Sequence, residues 1–349
     1  MKFKFDIFTS LLVAVIFVIG LLNLYSASYN LMRDLVWKQL MWFAIGIIIG
    51  CGIYVIGINR LLHLAPVIYI FTLILLVVVL VTPSSTAHRW LRFGFLNFQP
   101  SQLMKLALPL FLVAVFSQRN FSTISSFIPP VVVTLIPAIL IAKEPDLGGA
   151  LLLFFPLFGF FLLQKTNLKK LTFWIFIGII SIPIIYGHLQ PYQKQRLITF
   201  LDPSKDPLGS GYTIMQSKIA IGSGKVWGKG WLKGVQGQLR FLPESHTDFV
   251  FPVFAEEWGF IGAVFIIVLY VLLLWRLFTI AGTVKIIHSR ELLFLLLIIF
   301  TTQIVINLGM TMGLLPVVGI PLPFFSYGGS DLVMNLCIIA VFQRAIIQK

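Results

Sequence analysis

Charge is scarce in this sequence. Of 349 residues, 12 are Asp or Glu and 26 are Lys or Arg, 11% in all against 58% hydrophobic. So few charges cannot clothe a water-soluble globule of this length. Cysteine is scarcer: Cys51 and Cys337 both fall inside apolar runs, and no CxxC or Cys/His spacing accompanies them. A disulfide framework and a zinc site are therefore excluded as organising features. A nucleotide cradle is also missing. GSGKVWGKG at 222–230 lacks the GxxxxGK[ST] spacing, because Lys229 is followed by Gly230 rather than Ser or Thr, which argues against ATP-driven chemistry.

Long apolar runs are what the chain does have, with a mean hydropathy of +0.98. A helix needs about 17 to 25 apolar residues to cross roughly 30 Å of hydrocarbon. Runs of about that kind recur at 7–27, 37–57, 64–82, 102–117, 128–143, 147–164, 171–188, 250–277, 291–314 and 328–346. The expected fold is an all-α polytopic membrane protein with about ten transmembrane helices, a single domain over 1–349. MKFKFD and the run after it are too long for a secretory leader, so a retained first helix is expected. Basic residues including Lys2, Lys4, Arg60, Arg119, Lys165, Arg276, Lys285, Arg290 and Arg344 fall on one side of these spans. That bias places both termini in the cytoplasm.

The same orientation puts 189–249, between the seventh and eighth spans, outside the cytoplasm. A connection this long is usually functional. It carries Lys194, Arg196, Lys205, Lys218, Lys225, Lys229, Lys233 and Arg240 against Asp202, Asp206, Glu244 and Asp248. It is basic on the side where orientation does not require bases, so its partner is an anion, either a substrate or the headgroups of membrane lipids. Within it, YTIMQSKIAIG offers Ile214, Met215, Ile219 and Ile221 as an apolar edge for the interface.

Polar groups and helix breakers gather at the outer ends of the spans. Arg89 and Trp90 follow the third, Pro100, Gln102 and Lys105 open the fourth, and Pro145 and Asp146 start the sixth. Pro316, Pro321 and Pro323 break the backbone before the last, which lipid tolerates only against protein or a wet cavity. These ends are expected to converge on one cavity. Each residue also has a plainer role. Trp90 suits an interfacial belt, Asp146 a helix cap, Lys105 a snorkelling position, and Glu256 with Glu257 the headgroup depth.

FLPESHTDFVF at 241–251 places Glu244, His246 and Asp248 just before a span. Two carboxyls working as a glycosidase pair stand about 5 to 9.5 Å apart. On one helix Asp248 and Glu256 would be about 12 Å apart along the axis. A transferase that expels pyrophosphate needs no acid; cations on the phosphates and one base suffice. Asp248 and His246 both qualify as that base, and residue chemistry alone leaves the choice open.

Taken together, RW at 89–90, QPSQLMK at 99–105, PDLG at 145–148, GWLKGVQGQLRFLPESHTDFVFPVFAEEWGFIG at 230–262 and GLLPVVGIPLPFFSYGGS at 313–330 resemble the SEDS family of cell-wall polymerases, RodA and FtsW. The likeness spans essentially the whole chain, and the NLGMTMGLLPVVGIPLPF wording is nearer to the elongation members than to the division members. It implies polymerisation of lipid II into glycan strands at the outer membrane face, with release of undecaprenyl pyrophosphate. It also implies a class B penicillin-binding protein as crosslinking partner, and no nucleic acid. Asp248 matches the family's essential aspartate and is the expected base. Arg89, Trp90, Lys105 and Asp146 match its other motif positions; Arg196, Lys218, His246 and Ser326 join them as substrate-binding candidates. No metal signature marks a cofactor, and a divalent cation such as Mg²⁺, with acids as ligands, could share the hold on the pyrophosphate. A lipid II flippase and a non-catalytic scaffold for the penicillin-binding protein are the alternatives. Two positions depart from the pattern. Gln102 stands where the family usually has the glutamate that pairs with Lys105, leaving Glu144 as a substitute partner or Lys105 free for pyrophosphate. Asp331 replaces a serine after SYGGS.

Overall fold

A computed structural model describes residues 5–28, 34–82, 89–93, 96–164, 190–202, 205–206, 209–239 and 241–348, with 170, 172, 174, 180, 186 and 187. Among them, seven helices are long and apolar enough to cross a membrane. They include α1 (Ile7–Ser28), α2 (Asp34–Ile56), α3 (Ile58–Val81) and α5 (Ile128–Lys143). The shorter apolar helices are α4 (Pro100–Phe116) and the pair α6 (Leu147–Leu152) and α7 (Phe154–Leu163). Three long helices close the chain: α11 (Val250–Thr283), α12 (Ile287–Thr311) and α13 (Gly329–Ala345). Nine of the ten expected spans thus coincide with helices; the seventh, 171–188, lies almost wholly outside the described residues. Between them come α8 (Pro191–Leu201), α9 (Ser210–Ser223) and the single turn α10 (Val235–Gln238). The sequence reading did not foresee a short antiparallel hairpin, β1 (Leu91–Phe93) with β2 (Leu96–Phe98), set just before α4.

Burial sorts these helices into an inner and an outer set. In the most apolar stretch of the last helix 72% of residues are buried inside the protein, against 28% for α3. α13 is therefore the axis, packed along α2, while one flank of α3 is left for lipid. Ser330, Asp331, Asn335 and Gln343 are accordingly buried on α13, where each must find partners within the protein. At the end that the basic bias assigns to the cytoplasm, Arg276 Nη2 donates to Asp6 Oδ1 at 2.5 Å, and Gln343 Nε2 donates to Asp6 O at 3.0 Å. The guanidinium holds the Asp6 carboxyl down to about 2.

The break in α11 shapes the outer face. Gly259 has φ 67 and ψ −164, outside helical geometry, and so interrupts the run of backbone bonds. The loop segment GSGKVWGKG supplies the replacements. Lys229 N and Gly230 N donate to the carbonyls of Glu256 and Glu257, both at 3.0 Å. Phe260 N donates to Lys225 O at 2.8 Å and Ile261 N to Val226 O at 3.3 Å. Gly228 (φ +79) makes this approach possible, since a Cβ there would overlap Glu257 O.

Glu256 and Glu257 are enclosed by the protein, 0% and 1% exposed. Glu256 accepts from Lys229 Nζ at 2.6 Å, Val235 N at 2.9 Å and Gln236 N at 3.1 Å, and Glu257 accepts from Ser26 Oγ. Together the carboxylates clasp the outer loop to α11 and α1. The apolar edge expected of α9 is split. Ile214 faces inward, Ser217 Oγ donates to Thr311 O at 2.5 Å, and Met215 and Ile219 remain exposed.

Candidate active site

Several helix ends meet on the face opposite the one that the basic bias assigns to the cytoplasm. Asp146 caps α6 by accepting from Gly149 N at 2.9 Å, and its other oxygen accepts from Gln99 Nε2 at 3.1 Å. Gln99 N in turn donates to Ser330 Oγ at 2.9 Å. The starts of α4, α6 and α13 are thereby tied together. Arg89 joins them by donating from Nε to Glu144 O at 2.6 Å. Trp90 beside it is 38% exposed, consistent with the interfacial role that its residue type favours.

Asp248 is held by its backbone. Thr247 N and Phe249 N both donate to Glu244 O, at 3.2 and 3.1 Å, folding 244–249 into a tight turn. Asn307 Nδ2, from α12, donates to Asp248 O at 3.0 Å and to Ile320 O at 2.7 Å. Tyr327 N donates to His246 O at 2.9 Å. The turn is therefore fastened to the broken segment before α13. Its side chain stays open, borders a cavity of about 350 Å³ with Arg196, Asp206, Glu244 and Gly319, and among the described residues receives no hydrogen bond. A Cβ on Gly319 would stand 3.2 Å from Asp248 Oδ2, so the glycine keeps the backbone close to the carboxylate.

Burial raises Asp248 to about 7, helped by the Glu244 and Asp146 charges and opposed by Arg196 and Arg89. Although part of its surface is exposed, the carboxylate is deep enough to lose hydration yet still faces the cavity. His246 is pushed the other way, since burial disfavours its cation and Glu244 offsets this in part. Glu144 is fully buried, neither of its carboxylate oxygens has a hydrogen-bond partner among the described residues, and it is raised to about 8 by burial first and by Asp146 second.

Lys105 lies elsewhere. It is 4% exposed and donates to Asp331 Oδ1 at 2.5 Å and to Gln303 Oε1 at 3.0 Å. Asp331 also accepts from Gln303 Nε2 at 2.9 Å and Asn335 Nδ2 at 2.8 Å. The two departures from the family wording thus resolve into one: the acid missing at Gln102 is supplied by Asp331, not by Glu144. Lys105 is not free for pyrophosphate in this arrangement. Lys218 packs over Gly313 and is not among the residues that line the Asp248 cavity. Ser326 accepts from Leu322 N at 2.8 Å and is 4% exposed, fixing the turn of the broken segment.

Of the expected residues, then, Asp248 and Arg196 share a cavity, and Arg89 and Asp146 act on it through their charge. His246 sits in the same turn; Lys105, Lys218 and Ser326 serve neighbouring packing. Asn307, Gln99 and Gly319 were not singled out. Asn307 and Gln303 were detectable as amides inside an otherwise apolar span, a pattern that signals a buried polar task. Among the described residues no group of three or more His, Cys, Asp or Glu is arranged to hold a metal.

The family model described as cell cycle protein, FtsW/RodA/SpoVE, matches residues 7–349. The chain is 44% identical over 277 residues to peptidoglycan glycosyltransferase MrdB of Escherichia coli K12, covering 77% of this chain and 74% of that one. It superposes with a TM-score of 0.85 and 32% identity on a chain solved in work on the structural coordination of polymerization and crosslinking by a peptidoglycan synthase complex, covering 99% and 98% of the two chains. The rod shape determining protein RodA of Thermus thermophilus gives 0.73 and 30%, covering 99% and 97%.

Proposed function

The chain belongs to the FtsW/RodA/SpoVE family of cell cycle proteins and is a peptidoglycan glycosyltransferase, and on that premise we propose that Asp248 is the base of a lipid II polymerase at the outer membrane face. Asp248 takes the proton from the acceptor GlcNAc hydroxyl as that oxygen attacks the anomeric carbon of the donor. The bond from that carbon to pyrophosphate breaks, with inversion, and the undecaprenyl pyrophosphate departs with the bonding electrons. A base works best when it titrates near the operating pH, and about 7 is where burial and Glu244 hold Asp248. The observation that carries this reading is a carboxylate with no hydrogen-bond partner among the described residues, in a cavity it shares with a guanidinium.

Arg196, whose Nη1 reaches Val317 O at 3.3 Å, and Arg89 are the cations available to the leaving group. A divalent cation sharing that duty would find Asp206 and Glu244 on the cavity wall and complete its shell from pyrophosphate and water. The crosslinking partner is a class B penicillin-binding protein, the role is wall elongation, and both termini face the cytoplasm. The transferase reading displaces flippase and scaffold because relatives of this length and identity are named for glycosyl transfer. The test is strand synthesis from labelled lipid II by the purified chain with its penicillin-binding protein, whose own crosslinking is blocked. Strands from wild type and none from a folded Asp248→Ala variant are expected; strands from both would remove Asp248 from the chemistry.

A further inference from the structure

A second cavity lies apart from the one around Asp248 and shares no lining residue with it. A groove of about 470 Å³ lies between α3, α4 and α12. Asn59 stands at the start of α3, Ser117 just beyond the end of α4 and His288 at the start of α12. The groove therefore sits at the ends of these helices opposite Val81, Pro100 and Thr311, on the face that the basic bias assigns to the cytoplasm. Its floor is apolar, made by residues such as Leu62, Pro66 and Val113, and its rim is polar, with His63, Gln118 and His288.

His288 is oriented from behind. Ser117 Oγ lies 2.6 Å and Glu291 Oε2 3.8 Å from Nδ1, with Gln118 Nε2 at 3.4 Å on the Nε2 side. Glu291, 7% exposed and also bonded by Gln164 at 3.2 Å, is the acid beside this rim. Three cations are next in sequence to lining residues, Arg60 to Asn59, Arg119 to Gln118 and Lys285 to Ile286, and Arg290 is two positions beyond His288. An apolar floor under a rim of imidazoles and amides, with cations next to it in sequence at the same helix ends, is complementary to a lipid phosphodiester. A soluble anion would have no use for the floor, and a zwitterionic lipid would gain little from the cations.

We propose that this groove binds the headgroup and first acyl carbons of an anionic glycerophospholipid from the cytoplasmic leaflet, at a site separate from the transferase cavity. The site is independent of glycosyl transfer and requires no substrate. Full-length protein in detergent, titrated with phosphatidylglycerol or phosphatidylcholine and read by native mass spectrometry, tests it. Wild type is expected to retain one phosphatidylglycerol with a preference of about fivefold over phosphatidylcholine, the scale of one cation's attraction to an anionic surface. The double variant His63→Ala/His288→Ala removes the rim, and Ala114→Trp fills the exposed floor while keeping the rim. Both are expected to lose the retained phosphatidylglycerol, and with it the preference, while keeping the wild-type melting temperature. Equal retention of the two lipids by wild type, or the wild-type preference in either variant, would overturn the proposal and leave the groove to a soluble partner.

Discussion

Asp248 and Glu256 lie eight positions apart in one stretch of sequence and have opposite surroundings. Glu256 is wholly buried and saturated by an ammonium and two backbone amides. Asp248 borders a cavity, and its carboxylate takes no hydrogen bond from the described residues. Saturation occupies the lone pairs that would take a proton from a substrate, whereas a carboxylate without donors keeps them open. A carboxylate that holds the fold and one suited to proton transfer can therefore be told apart by their donors, where residue type and depth alone would confuse them.

Substitutions at the two sites should separate these roles. The largest expected effect is on turnover: Asp248→Asn keeps the shape and removes the base, lowering strand synthesis by about 10²- to 10⁴-fold while leaving the melting temperature unchanged. Glu256→Ala should do the opposite, costing about 3 kcal/mol by denaturant or thermal unfolding, since it strands two amides and an ammonium. Asp331→Asn removes the counter-ion of buried Lys105 and should also cost about 3 kcal/mol, much of which the double variant Lys105→Met/Asp331→Leu should recover. Recovery would mark that pair as structural; lost strand synthesis in a stable double variant would give it a place in the chemistry. The smallest effect concerns pH. Glu244 raises Asp248, so Glu244→Gln should move the acid limb of the rate profile to lower pH without shifting its plateau.

Most of the architecture was legible because lipid demands long apolar runs, and nine of the ten runs coincide with described helices. The boundary between α2 and α3 was placed too late. Gly57, with φ +82, allows the chain to turn and begin α3 at once, at Ile58. The break in α11 was less visible. Gly259 lies inside an apolar run where hydropathy sees no interruption, and its meaning comes from the distant glycines that dock on it. The same holds within the site. Asp248 stood out as an acid at a helix lip, but the partner of Lys105 is 226 positions away, and no local pattern could choose Asp331 over Glu144. What the sequence did offer was a pair of anomalies, Gln102 and Asp331, and a buried ammonium makes each account for the other.

The most direct test of the account is the pH dependence of strand synthesis for wild type, Asp248→Asn and His246→Gln, with the partner present and its crosslinking blocked. The prediction is that wild type and His246→Gln share a rate that falls on acidification through about pH 7, as a carboxylate base becomes protonated, while Asp248→Asn shows no such limb and almost no rate. An acid limb that persists in active Asp248→Asn and vanishes in His246→Gln would contradict it.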